Sequence, residues 1–161
     1  MSHPSHSEKA RIWVTRFRRN YKEVAKNTLI SGIAIFIFSY GGLLAMIQLF
    51  PDLFVAYISP VFNSDGSRDV YFYLHPFILA LSLSVFWNRF RKMFEGNVLQ
   101  IGVEFSVVYT FIALVPIMWI TYATMDVPFS MVATWLMYGL FQSAVAGFFL
   151  AWFSPWPGHT N

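Results

Sequence analysis

The sequence predicts an all-α integral membrane protein: a four-transmembrane-helix bundle with an N-terminal amphipathic interfacial helix. Three observations carry that prediction. Of 161 residues, 57% are hydrophobic and 12% charged, and the mean hydropathy is +0.52, a balance outside the range of ordinary soluble domains. Four stretches, at about 29–50, 70–88, 101–123 and 131–153, are long and apolar enough to cross a hydrocarbon layer of about 30 Å. Seven of the eleven Lys and Arg residues precede residue 27, directly ahead of the first stretch. The chain therefore divides into a basic arm (1–28), a membrane domain (29–153) and a short tail (154–161). The loops leave too little chain for a separate soluble catalytic domain.

The arm opens with a polar, aperiodic stretch whose His3 and His6 lack the further ligands and supporting shell that a metal site needs. From Glu8 to Asn27 a helical period appears, with Trp13, Phe17, Tyr21 and Val24 on one face and Arg11, Arg16, Arg18, Arg19, Lys22 and Lys26 on the rest. An aromatic stripe with a basic remainder suits a helix lying among anionic lipid headgroups. The formal charge of +3 reflects this cluster, so an anionic bilayer is the expected partner and nucleic acid is not.

The first span stops at Pro51 and holds no charge. It is too long for a cleaved signal peptide and no A-x-A site follows, so it is expected to remain as an anchor. Gly41 and Ala45 form one small-xxx-small step in it, and Ser31 with Gly32 forms a second patch where another helix can come close. The following loop begins with an apolar run, Leu53 to Ile58, that predicts a short surface helix. Asn63 to Asp69 then predicts a turn centred on Asp65-Gly66. A calcium loop is excluded there, because Val61 stands where the first oxygen ligand belongs.

The second span opens on an aromatic belt (Tyr71, Phe72, Tyr73), with Asp69 or Ser67 as the expected cap, and reaches His75-Pro76 in its first turns. Arg89, Arg91 and Lys92 follow it. In the third, Pro116 frees the carbonyl of Ile112 and predicts a kink, while Trp119 and Tyr122 mark an interface. Asp126 and Pro128 fall in the tight turn to the fourth. That last span carries a ladder of small residues at four-residue spacing, Gly139, Ser143, Gly147 and Ala151, which makes it the expected centre of the bundle.

Basic residues number seven before span one, one (Arg68) in the first loop, three in the second and none in the third or the tail. The positive-inside rule then places both termini and the second loop in the cytoplasm. A multi-pass protein of a cell membrane, the bacterial inner membrane above all, is expected.

Three polar residues in the spans are candidates for function. Glu104 is the only carboxylate at membrane depth, with pairing to Arg89 or Arg91 expected in preference to proton or cation coupling. His75 lies near the opposite interface, where a hydrogen-bonded role is expected; no other span carries a histidine to complete a haem site. Gln142 with Tyr138 forms a polar stripe beside the small ladder, and Tyr109 and Thr110 lie on span three; such groups more often fix helix packing than line a solute path. Glu104 and His75 are too far apart to act as acid and base together. The chain has no cysteine, no Gly-rich phosphate loop, no HExxH and no GxSxG. No catalytic residue, cofactor or metal is therefore expected. The pattern predicts a non-enzymatic accessory or structural role through helix contacts, with itself or with a larger membrane complex. The alternative is a small oligomeric transporter or channel using Glu104.

Overall fold

The structure is a computed structural model that describes the backbone of residues 6–58 and 66–154, with side chains described for 21–52, 54–55 and 66–154. His3, the side chain of His6, the basic side chains before residue 20, the Asn63–Asp65 part of the expected turn and residues 155–161 lie outside the described residues. Every regular element among those described is helical: α1 (His6–Leu49), α2 (Asp69–Phe90), α3 (Val98–Tyr109), α4 (Val115–Thr124) and α5 (Phe129–Phe153). Four segments are long and apolar enough to cross a membrane: Tyr21–Leu49, Asp69–Met93, Val98–Thr124 and Phe129–Phe153.

The first of these differs from the sequence expectation. The basic segment and the first span form one unbroken helix, α1, with no joint near Asn27. The reason is local: no Gly or Pro occurs between His6 and Ser31, so nothing interrupts the ladder. The helix ends just ahead of Pro51, and Pro51–Ile58 continues as a 3-10 helix, where the sequence suggested a short helix from Leu53.

The start of α2 also departs from expectation. Arg68 stands at its N-cap position without a side-chain cap bond, and Asp69 is the first helical residue, where its charge suits the helix dipole. Gly66, at φ +80°, turns the chain into it. At the other end a 3-10 turn, Arg91–Met93, leads to Gly96 (φ +117°) and to a capping box opening α3. There the Gln100 N–H donates to Asn97 Oδ1 (2.9 Å) and the Asn97 N–H donates to Gln100 Oε1 (3.0 Å).

Between α3 and α4 the chain makes a π-helical turn, Thr110–Leu114. Pro116 follows at once. Its ring has no N–H for the Ile112 carbonyl and crowds it, and a widened turn accommodates both faults while the helix continues.

α5 packs on α1, α2, α3 and α4, most extensively on α3, while α1 packs most extensively on α2. Two hydrogen bonds fix the register of α1 against α5: Asn27 Nδ2 donates to Ser154 Oγ (3.3 Å), and Gln142 Nε2 donates to Ser39 Oγ (3.0 Å). Each step is twelve residues, so the two helices run antiparallel and in register over roughly 18 Å.

Small residues let α3 and α5 cross closely. A Cβ built on Gly147 would stand 2.8 Å from the Gly102 carbonyl oxygen, and one on Gly102 would stand 3.0 Å from the Phe148 nitrogen. Likewise a Cβ on Gly139 would meet Leu114 Cδ1 at 2.7 Å, and one on Gly32 would meet Phe77 Cδ1 at 2.7 Å. Ser143 and Ala151 are buried on the same helix as Gly139 and Gly147. Gly41 and Ala45 are exposed, and among the described residues no other helix lies within 4 Å of a Cβ at Gly41.

At the Arg91 end, aromatic rings join the two hairpins. Trp87 stacks on Phe94 (ring centroids 6.0 Å apart) and meets Phe105 edge-on at 5.7 Å. The outward faces carry large apolar side chains along their length, among them Ile37, Ile78, Val85, Phe111 and Trp119. His75, Ser82, Gln100 and Glu104 are polar exceptions exposed on these faces.

Candidate functional site

The polar side chains that the fold gathers fall into two groups at different heights, and a third stands alone. The first joins the ends of α2 and α5 to the middle of α1. α1 presents Glu23 and Asn27, the turn after α2 presents Arg91, and α5 terminates on Ser154. The Arg91 guanidinium pairs with the Glu23 carboxylate through its two terminal nitrogens, and Nη1 also donates to Ser154 Oγ at 3.1 Å. Ser154 Oγ donates in turn to Glu23 Oε1 at 3.0 Å and accepts from Asn27. Lys26 Nζ reaches the Phe153 carbonyl at 3.4 Å. Sequence reasoning missed this cluster, since nothing local ties Glu23 to Arg91, 68 residues on.

The second group lines a cavity of about 30 Å³ between α1, α2 and α5, toward the Asp69 end. Ser39 and Tyr40 from α1, Tyr73 and His75 from α2, and Tyr138 and Gln142 from α5 line it. The expected candidates His75 and Gln142 thus share one site, with polar partners from α1 that sequence spacing did not flag. Gln142 is almost wholly buried and spends one amide hydrogen on Ser39. Pro76, two turns into α2 and not at its start, belongs to the wall; it has no N–H for the carbonyl of Phe72, another wall residue. The volume holds about one water molecule. Three phenols, an imidazole and an amide offer donors and acceptors without a carboxylate. Among the described residues no three His, Cys, Asp or Glu side chains converge as a metal site would require.

Glu104 belongs to neither group. Its side chain is exposed on α3 and makes no hydrogen bond or ion pair with a described residue. The expected pairing with Arg91 is replaced by the pairing of Arg91 with Glu23, and Arg89 is exposed. The cause is register. Gly102 meets Gly147, which lies seven residues before Ser154, so Glu104 stands roughly 13 Å above the Arg91–Ser154 layer. A loop arginine does not reach that height.

Lys22 and Lys26 are exposed around α1 at the level of the first cluster. Together the elements define a class: an all-helical chain with four helices able to cross a membrane, pinned by polar bonds between helices at two heights. No protein-family model, curated protein or solved structure matches the chain.

Proposed function

We propose that this chain is a multi-pass membrane protein with a non-enzymatic accessory role, acting through helix contacts with another membrane protein, itself or a larger complex. The observation that carries this reading is Glu104, an ionisable side chain at membrane depth turned away from its own bundle. Ionisable groups in spans face protein, because hydrocarbon charges several kcal/mol for them. No described residue pairs with Glu104, and in this reading the protein it faces is another copy or another chain. The polar bonds between helices support the reading, since Gln142 with Ser39, and Asn27, Ser154, Glu23 and Arg91 with one another, fix packing within the bundle.

In this reading the Arg91–Ser154 layer is the cytoplasmic side, by the positive-inside rule, and both termini lie there, as in the inner membrane of a bacterium. Lys22 and Lys26, exposed at the level of this layer, engage anionic headgroups, and the basic residues before them add to the attraction. The test is native purification in mild detergent, with the particle mass measured and co-purifying proteins identified. A particle heavier than one chain is expected; a monomer with no protein partner would overturn the reading.

A further inference from the structure

Gln100, Glu104 and Val107 follow one another along α3 at steps of four and three residues, Phe111 stands four residues further on at the start of the π-helical turn, and all four are exposed. This is the spacing of a coiled-coil seam, the row of side chains that two supercoiled helices offer each other. Val103 lies beside the seam and is also exposed. The seam ends within the π-helical turn at Phe111, because the wider turn rotates the face that follows. A single polar residue in an otherwise apolar part of such a seam sets its register.

The chemistry of that residue selects the partner. Among the described residues of the four candidate spans, Lys22, Glu23, Lys26, Arg89, Arg91 and Lys92 lie around the Arg91–Ser154 layer and Asp69 at the opposite end, which leaves Glu104 as the charged side chain between them. A second copy in the same orientation therefore has no cation at the height of Glu104. It does have Glu104. A protonated carboxyl both donates and accepts a hydrogen bond, so its best complement in hydrocarbon is an identical group. A two-fold axis along the membrane normal supplies that group at the same depth without further adjustment.

We infer that the Glu104 face of α3 is a homodimer seam, in which the protonated carboxyls of two copies hydrogen-bond to each other across a two-fold axis. The inference rests on the accessory reading above and names its partner. Apolar Val107 and Phe111 fill the seam on one side of the acid pair, and Gln100 closes it on the other.

The cysteine-free chain makes the test direct. Single cysteines are placed at Gln100 and Val107 on the seam, and at Ile37 and Val85 on other exposed faces, and oxidised in phospholipid bilayers. The seam positions should yield covalent dimer at least tenfold more than the other two. In the V107C background, Glu104→Gln should retain the dimer, because an amide also donates and accepts. Glu104→Leu should reduce it several-fold and Glu104→Lys should abolish it, with the thermal midpoint of each variant recorded to show that the bundle still folds. Dimer that forms equally well with Leu at position 104 would overturn the acid pair. Crosslinking through Ile37 or Val85 in place of the seam would overturn the interface while leaving the accessory reading intact. A chain that stays uncrosslinked at every position overturns the inference, and the accessory reading is then decided separately by the native particle mass.

Discussion

At the scale of single residues, close packing is set by glycines whose absent side chains are occupied by another helix. Gly147 has the Gly102 carbonyl oxygen 2.8 Å from where its Cβ would stand, and a backbone atom does not move aside as a flexible side chain does. Gly147→Leu should therefore cost about 2–3 kcal/mol by overpacking, whereas Phe148→Leu, at a half-buried position among Phe149 and Trp152, should cost less than about 1.5 kcal/mol. Thermal unfolding of the two variants side by side checks this, and equal stability would mean that α3 and α5 do not cross at Gly102. The Glu23–Arg91 pair makes a second demand. Both side chains are about four-fifths buried, so Arg91→Gln removes a charge-assisted bond and leaves Glu23 with only Ser154. A loss of about 1–3 kcal/mol is expected, with half or more of it recovered in the Glu23→Gln, Arg91→Gln double variant. Additive losses from the two single changes would show that the pair is not coupled.

At the scale of elements, α1 is where sequence and structure diverge most instructively. Periodicity gives the helix and its basic and aromatic faces, but a helix lying on a surface and a helix running on from a span have the same period. Only a breaker would separate them, and the chain has none between His6 and Ser31. The headgroup contact proposed for 8–27 can be measured on the segment itself. As a peptide it should become helical on vesicles containing anionic lipid and be released by high salt, since surface charge attraction is screened within a Debye length. Circular dichroism reads both, and helicity indifferent to lipid charge would rule the contact out. The other elements were legible to differing degrees. The four long apolar stretches, the turn at Gly66 and the disturbance at Pro116 all follow from residue chemistry close at hand. That the disturbance takes the form of a π-helical turn does not, because a kink, a bulge and a wide turn relieve the same clash.

At the scale of the whole molecule, what sequence could not supply was the pairing of heights between helices. The small ladder of α5 is visible as a pattern, but its counterpart Gly102 is a lone glycine among apolar residues, with no period to mark it. The same missing register placed Glu104 beside the loop arginines in the sequence reading, when the crossing lifts it roughly 13 Å away from them. His75 and Gln142 could be picked out singly as polar residues in spans, yet their common cavity depends on α1 bringing Ser39 and Tyr40 to the same level. Orientation is different again, because a bundle has the same internal contacts whichever way it faces, and only the distribution of charge distinguishes the two sides. Seven basic residues ahead of the first span, and Arg89, Arg91 and Lys92 after the second, weigh against Arg68 alone between the first two spans. The prediction is that in intact cells a cysteine at Ser64 reacts with an impermeant thiol reagent, while one at Glu95 reacts only after the membrane is breached. Glu95 is chosen over the neighbouring Gly96, whose φ of +117° a cysteine would strain. Labelling of Glu95→Cys but not Ser64→Cys from outside would invert the molecule, turning the Glu23–Arg91–Ser154 cluster and the basic segment outward and removing the anionic inner leaflet as their partner.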